Sequence, residues 1–152
     1  MTRRFRILLV DDDDNDRLLF RSALQESGLD VELFEATDGF AAINYLLGFS
    51  EYGDRAKFPY PDLVFLDLKM PGMDGFAVLK EIRTNLGLKK LPIVISTNSN
   101  LRADAIAAYS LGANAFHQKP GRYQDLIGLL QSVITPWLIS RTTESDRKSK
   151  ET

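Results

Sequence analysis

A chain of 152 residues, 44% hydrophobic and 26% charged, is long enough to bury a core and has the balance of an ordinary globular domain. Its formal net charge of −2 gives no global attraction to nucleic acid or to an anionic membrane surface. With no cysteine and a single histidine, His117, it can build neither a disulfide framework nor a thiolate or multi-histidine metal site.

Residues 5–10 predict a first strand. This mostly apolar run is too short for a signal peptide or a membrane span, so a cytoplasmic protein without nucleic-acid or membrane partners is expected. Residues 15–27 predict a helix stopped by Gly28. A second strand follows at 31–36, then a helix that starts at Thr37-Asp38 and runs to about Leu47. Residues 48–61 contain Gly, Ser, charged residues and two prolines, and predict a long surface loop. The third strand is 63–67, and the next helix is 74–85, with Phe76, Leu79, Ile82 and Arg83 on a mixed face. A fourth strand at 93–96 precedes a helix at 101–111 ended by Gly112. A short fifth strand at 115–118 and a helix at 122–134, ended near Pro136, complete the series. Residues 141–152 lack any apolar side chain and predict a disordered polar tail after one domain spanning 1–140. The alternation of strand and helix predicts an α/β fold, a doubly wound parallel sheet with helices on both faces.

In such a sheet, ligands bind outside the carboxyl ends of the strands. Those ends carry Asp11 and Asp12, Asp67, Ser96 and Thr97, and Lys119. A carboxylate closing a buried strand is costly unless its charge is compensated, and this is the position of Asp67 after Leu63-Val64-Phe65-Leu66. Taken alone, Asp67 reads as a turn cap; taken with the other strand ends, it reads as a nucleophile towards phosphorus. Asp11 and Asp12 suit a hard divalent cation such as Mg²⁺, which relieves their mutual repulsion. Asp13, Asp14 and Asp16 are expected in solvent at the start of the first helix, where its dipole favours acids. Thr97 or Ser96 offers a hydroxyl, and Lys119 a cation for phosphoryl oxygens; each also has an ordinary reading as a cap or a solvated lysine. Pro120 leaves a cis Lys119–Pro120 bond open. His117 receives no role.

Together these residues resemble the CheY-like receiver domain of two-component response regulators. The carriers are Ile7-Leu8-Leu9-Val10-Asp11-Asp12, the stretch from Pro61 through Asp67 to Lys69-Met70-Pro71-Gly72-Met73-Asp74-Gly75, Leu91-Pro92-Ile93-Val94-Ile95-Ser96-Thr97, and Gly112 through Lys119-Pro120. The resemblance implies a flavodoxin-like five-stranded parallel sheet in the order 2-1-3-4-5. In the family's simplest members the hydroxyl and the lysine follow the acceptor by 30 and 52 positions, and those offsets select Thr97 over Ser96 and reach Lys119. The family implies that Asp67 accepts a phosphoryl group from a phosphohistidine of a sensor histidine kinase. It implies Mg²⁺ held by Asp12, Asp67 and the Lys69 backbone carbonyl, with Asp11 acting through water, and an aromatic switch at Phe116. Such a domain catalyses only its own phosphorylation and dephosphorylation. Asn98 and Lys69 depart from the commonest pattern beside the site. The long 48–61 loop and the Ile134-Thr135-Pro136-Trp137-Leu138 extension resemble single-domain regulators of bacterial phytochrome kinases. In that group the carboxyl-terminal face often makes a homodimer. For this chain a homodimer is expected through the face of the fourth helix, fifth strand and fifth helix and the carboxyl-terminal extension, where exposed Trp137 and Leu138 would suit the contact.

Two other readings compete. A haloacid-dehalogenase-like phosphatase also uses an Asp nucleophile with Mg²⁺ and Lys, but places a general-acid Asp two residues later, where this chain has Lys69. A receiver-like interaction module that is never phosphorylated would lack some of the polar positions that this chain retains. A DNA-binding regulator is disfavoured because no segment after Leu138 suits a helix-turn-helix.

Overall fold

The computed structural model describes residues 3–151, with side chains to Arg141. In chain order the elements are β1 (Phe5–Val10), α1 (Asp14–Glu26), β2 (Val31–Ala36), α2 (Gly39–Leu47), a 3-10 turn at Ser50–Gly53, β3 (Leu63–Leu66), α3 (Gly75–Arg83), β4 (Ile93–Thr97), α4 (Arg102–Ser110), β5 (Ala115–Gln118) and α5 (Tyr123–Glu151). The chain divides into two compact units, Met1–Leu18 with Val31–Lys119, and Leu19–Asp30 with Pro120–Thr152.

The first unit holds the whole sheet, five parallel strands in the expected order β2-β1-β3-β4-β5. Strands buried on both faces are apolar at successive positions rather than alternating, as Ile7 to Val10 and Leu63 to Leu66 are here. One face is built from Leu8, Val10, Val64, Leu66, Ile93 and Ile95, in one cluster with Tyr45 and Leu46 of α2, Val78, Leu79 and Ile82 of α3, and Ala108 of α4. The helices start where acids cap them: Asp38 Oδ1 accepts from the Ala41 N–H at 2.7 Å, and Asp74 Oδ1 from the Ala77 N–H at 2.9 Å.

The 48–61 segment is more than the surface loop that its composition predicts. Tyr45 of α2 lies at ring-centroid distances of 5.1 Å from Tyr52 and 6.0 Å from Phe58, and its hydroxyl donates to the Pro59 carbonyl at 2.9 Å. Arg55 donates to the carbonyls of Tyr45 at 2.7 Å, Leu46 at 2.9 Å and Phe58 at 3.1 Å. The Tyr45 carbonyl at the end of α2 already accepts from the Gly48 N–H at 3.2 Å, and the guanidinium adds a second donor there and one for Leu46. Tilted and edge-to-face aromatic contacts and one arginine thus convert a loop-like composition into a packed flap.

In the second unit, Phe20, Ala23 and Leu24 of α1 and Leu130 and Ile134 of α5 are buried, and Ser22 Oγ lies 2.6 Å from the Tyr123 hydroxyl. The expected stop near Pro136 does not occur, because α5 continues through it. Proline removes the donor for the Ser132 carbonyl, four residues earlier. Ser132 and Pro136 are both exposed, so water can serve that carbonyl and the helix tolerates the break. The tail expected over 141–152 falls, past Arg141, on residues whose side chains lie outside those described; the backbone belongs to α5 as far as Glu151. No cis peptide occurs among the described residues, so Lys119–Pro120 is trans and the cis bond left open by the sequence is absent.

Candidate functional site

Ladder bonds beyond the strands set the site. The Asp11 N–H donates to the Ala36 carbonyl at 3.2 Å, the Asp67 N–H to Val10 at 3.0 Å, and the Lys119 N–H to Thr97 at 2.7 Å. Because Val10 pairs with Leu66 in register, Asp11 and Asp67 leave the sheet side by side. A parallel sheet puts all of these ends on one edge, which is why residues distant in sequence converge.

Asp11 is 3% exposed and Asp67 6%, whereas Asp12 is exposed. Carboxylate oxygens of the three lie within 4.8 Å of one another. Lys119 Nζ reaches Asp11 Oδ2 at 2.8 Å and Asp67 Oδ2 at 3.2 Å. It also reaches Asp16 Oδ2 at 2.8 Å. Asp16 therefore turns into the site rather than into solvent; Asp13 and Asp14 are exposed as expected. Asp13 caps α1 instead, its Oδ1 accepting from the Asp16 N–H at 2.8 Å.

Burial pushes the Asp11 carboxyl up, the Lys119 ammonium pulls it back only in part, and the neighbouring Asp67 charge adds to the rise. Burial alone would push Lys119 down, but its bonds to Asp11 and Asp16 and the charges of Asp11 and Asp67 outweigh that and move it up. The causes differ, burial for Asp11 and its carboxylate partners for Lys119, but three carboxylates contact the one ammonium and Asp12 lies beside two of them, so the cluster lacks positive charge. Three hard oxygen donors that close together, one of them open to solvent, form a fitting set for a divalent cation that keeps several waters.

Other expected participants stand around this centre. The Lys69 N–H donates to Asp67 Oδ1 at 3.3 Å, while its side chain points to Asp104. Thr97 is fully buried at the end of β4, and its hydroxyl oxygen accepts from the Ser99 N–H at 3.3 Å. Ser96 is buried next to it, and Phe116 is half-buried against the core cluster. Arg17, to which the sequence assigns no role, donates to the Asp11 carbonyl at 2.7 Å and pairs with Asp14 and with Glu35. It holds the turn between β1 and α1 that carries the acids. Its only signal in the sequence is a position one turn beyond Asp13 and Asp14.

Related proteins share this architecture. Response regulator Rcp1 of Synechocystis is 38% identical over 132 residues, 87% of this chain and 88% of Rcp1. A crystal structure of the Mn²⁺-bound form of Rcp1 superposes with a TM-score of 0.76 at 38% identity, covering 88% of this chain and 94% of that one. The phosphorylated cyanobacterial phytochrome response regulator RcpA superposes at 0.80 with 32% identity, covering 90% of this chain and 95% of its own. These matches give the haloacid-dehalogenase-like alternative no support. With residues 7–131 matching the response regulator receiver domain as a family, and the acidic edge of its sheet built as described, the chain belongs to the receiver domains of two-component response regulators.

Proposed function

We propose that Asp67 is the phosphoacceptor, taking a phosphoryl group from a phosphohistidine of a sensor histidine kinase. The observation that carries this is Lys119 Nζ lying 3.2 Å from Asp67 Oδ2 at a buried strand end crowded with further carboxylates. A carboxylate oxygen of Asp67 attacks phosphorus as the P–N bond breaks, and the imidazole leaves with the electron pair. Lys119, already beside that oxygen, pairs with the charge gathering on the phosphoryl oxygens. Thr97 donates its hydroxyl to the phosphoryl group after giving up its contact with Ser99, and Phe116 follows into the space vacated. Asp12, Asp67 and the Lys69 carbonyl would hold Mg²⁺, with Asp11 acting through water. When bound, Mg²⁺ supplies positive charge to the carboxylates and to the phosphoryl oxygens.

Incubation with acetyl phosphate tests the reading: a phosphoryl adduct is expected with Mg²⁺ and not with a chelator, and equal labelling in both would count against it. Mg²⁺ should also stabilise the unmodified fold. At tenfold excess over Kd the linkage gain is about 1.4 kcal/mol, or a rise in Tm of about 4 °C. A Tm indifferent to Mg²⁺ and to chelator would remove the metal from this site.

Similarity to Rcp1 and RcpA supports a phytochrome-type kinase as the partner. A homodimer through α4, β5, α5 and the carboxyl-terminal extension is part of the proposal. Trp137 and Leu138 are half-buried rather than exposed; among the large apolar side chains that are exposed, Leu101, Ile106 and Tyr109 lie on or beside α4, and Ile139, 61% exposed, lies on α5. Ile106→Asp and Ile139→Asp are each expected to weaken self-association in sedimentation velocity, and unchanged profiles for both would reject this interface. No helix among the described residues is long and apolar enough to cross a membrane.

A further inference from the structure

The first turn of α4 carries a carboxylate that ties together the two loops flanking Asp67. Asp104 Oδ2 accepts from Ser99 Oγ at 2.5 Å and lies 3.7 Å from Lys69 Nζ. Ser99 in turn donates its N–H to Thr97 Oγ1 at 3.3 Å and accepts from the Leu101 N–H at 3.2 Å. Leu101 offers α4 no side-chain cap, so Ser99 and Asp104 order the start of the helix between them. Asp104 is 17% exposed and fixed by these bonds, whereas the Lys69 side chain is 63% exposed and can leave at little cost.

Lys69 hangs from the turn that carries Asp67, with its N–H already on the acceptor carboxylate. Its ammonium therefore has two possible anionic partners, Asp104 now and a phosphoryl group on Asp67 later. We propose that Asp104 is a positioning residue for phosphoryl transfer, holding Lys69 away from the acceptor until the phosphoryl charge competes for it. The inference rests on Asp67 being the acceptor. With acetyl phosphate as donor, an Asp67 oxygen bonds to phosphorus as the bond to acetate breaks, and acetate departs with the electron pair. Breaking the Lys69–Asp104 pair subtracts from the stabilisation that Lys69 gives this step.

Asp104→Asn separates the two duties of the residue, since the amide oxygen still accepts from Ser99 while the charge holding Lys69 is gone. Labelling by acetyl phosphate is expected to become about threefold faster, the scale of an exposed ion pair, with Tm unchanged. In a Lys69→Ala background the same change should have no effect on rate, because the pair is already absent. The acceleration should also fade at about 1 M salt, where such a pair is screened. An Asp104→Asn protein labelled at the parent rate, or accelerated equally in the Lys69→Ala background, overturns the role given to Asp104. Absence of labelling in every variant and in the parent overturns the acceptor assignment, and this inference with it.

Discussion

Asp67→Asn is expected to abolish phosphoryl incorporation while leaving the protein folded. Asparagine matches aspartate in size, so the packed end of β3 need not move, but its neutral amide is a far poorer nucleophile than a carboxylate. Lys119 loses one anionic partner and keeps Asp11 and Asp16, both at 2.8 Å. Because the cluster holds more negative than positive charge, removing one carboxylate also relieves repulsion. The two changes oppose each other, and the net effect on stability should stay within about 1 kcal/mol. Intact-mass measurement after exposure to acetyl phosphate and Mg²⁺ should show the adduct on the parent and background on the variant. Persisting labelling would move the acceptor to another carboxylate, with Asp11 the next buried one in the set. The Mg²⁺-dependent rise in Tm should shrink in the same variant, since a proposed ligand is gone.

The convergence at this edge is legible in the sequence because it depends on topology more than on packing detail. Once five apolar runs are taken as parallel strands, the polar residues that end them must face the same edge, and Asp11, Asp67 and Lys119 do so. Asp38 and Asp74 are similarly readable, since an acid ahead of an apolar helical stretch acts locally, through its own next turn. Asp16 is different. Whether an acid in the first turn of α1 meets solvent or a lysine on a distant strand end depends on how the helix leaves the sheet, and no local pattern encodes that direction. Lys119 lies 103 positions away.

The 48–61 segment was opaque for another reason. Its glycines, prolines and charges are those of a solvated loop, and they outweigh the four aromatics, Phe49, Tyr52, Phe58 and Tyr60, when composition is averaged. Tyr52 and Phe58 nonetheless find Tyr45, and Arg55 finds the Tyr45 and Leu46 carbonyls at the end of α2. Pro136 misleads in the opposite sense. A proline inside a helix orphans and crowds the carbonyl four residues earlier, and here the residue carrying it, Ser132, is exposed, so water can replace the lost bond and α5 continues.

Gly75→Val should be the most damaging single substitution near the site, although Gly75 carries no chemistry. A Cβ at this position would sit 2.2 Å from the Asp67 carbonyl oxygen, 2.7 Å from Leu68 Cα and 2.9 Å from the Asp67 carbonyl carbon. All three are backbone atoms, so no rotamer change can make room. The Gly75 N–H also donates to the Leu68 carbonyl at 3.0 Å, which fastens the start of α3 to the residues just after the acceptor. A side chain must either lift α3 off β3 or displace the Asp67 backbone, and the first loses the burial of Val78, Leu79 and Ile82. Overpacking against fixed backbone costs about 3 kcal/mol, so the expected result is a clearly lower denaturation midpoint and slower labelling of whatever folds. Gly128→Ala provides the contrast, since a Cβ there meets nothing within 4 Å on α5. It should be neutral or stabilising by up to about 1 kcal/mol through helix propensity alone. Equal midpoints for Gly75→Val and the parent would show that the end of β3 yields easily. The acceptor would then owe its position to the Lys119 contact rather than to the close seat of α3.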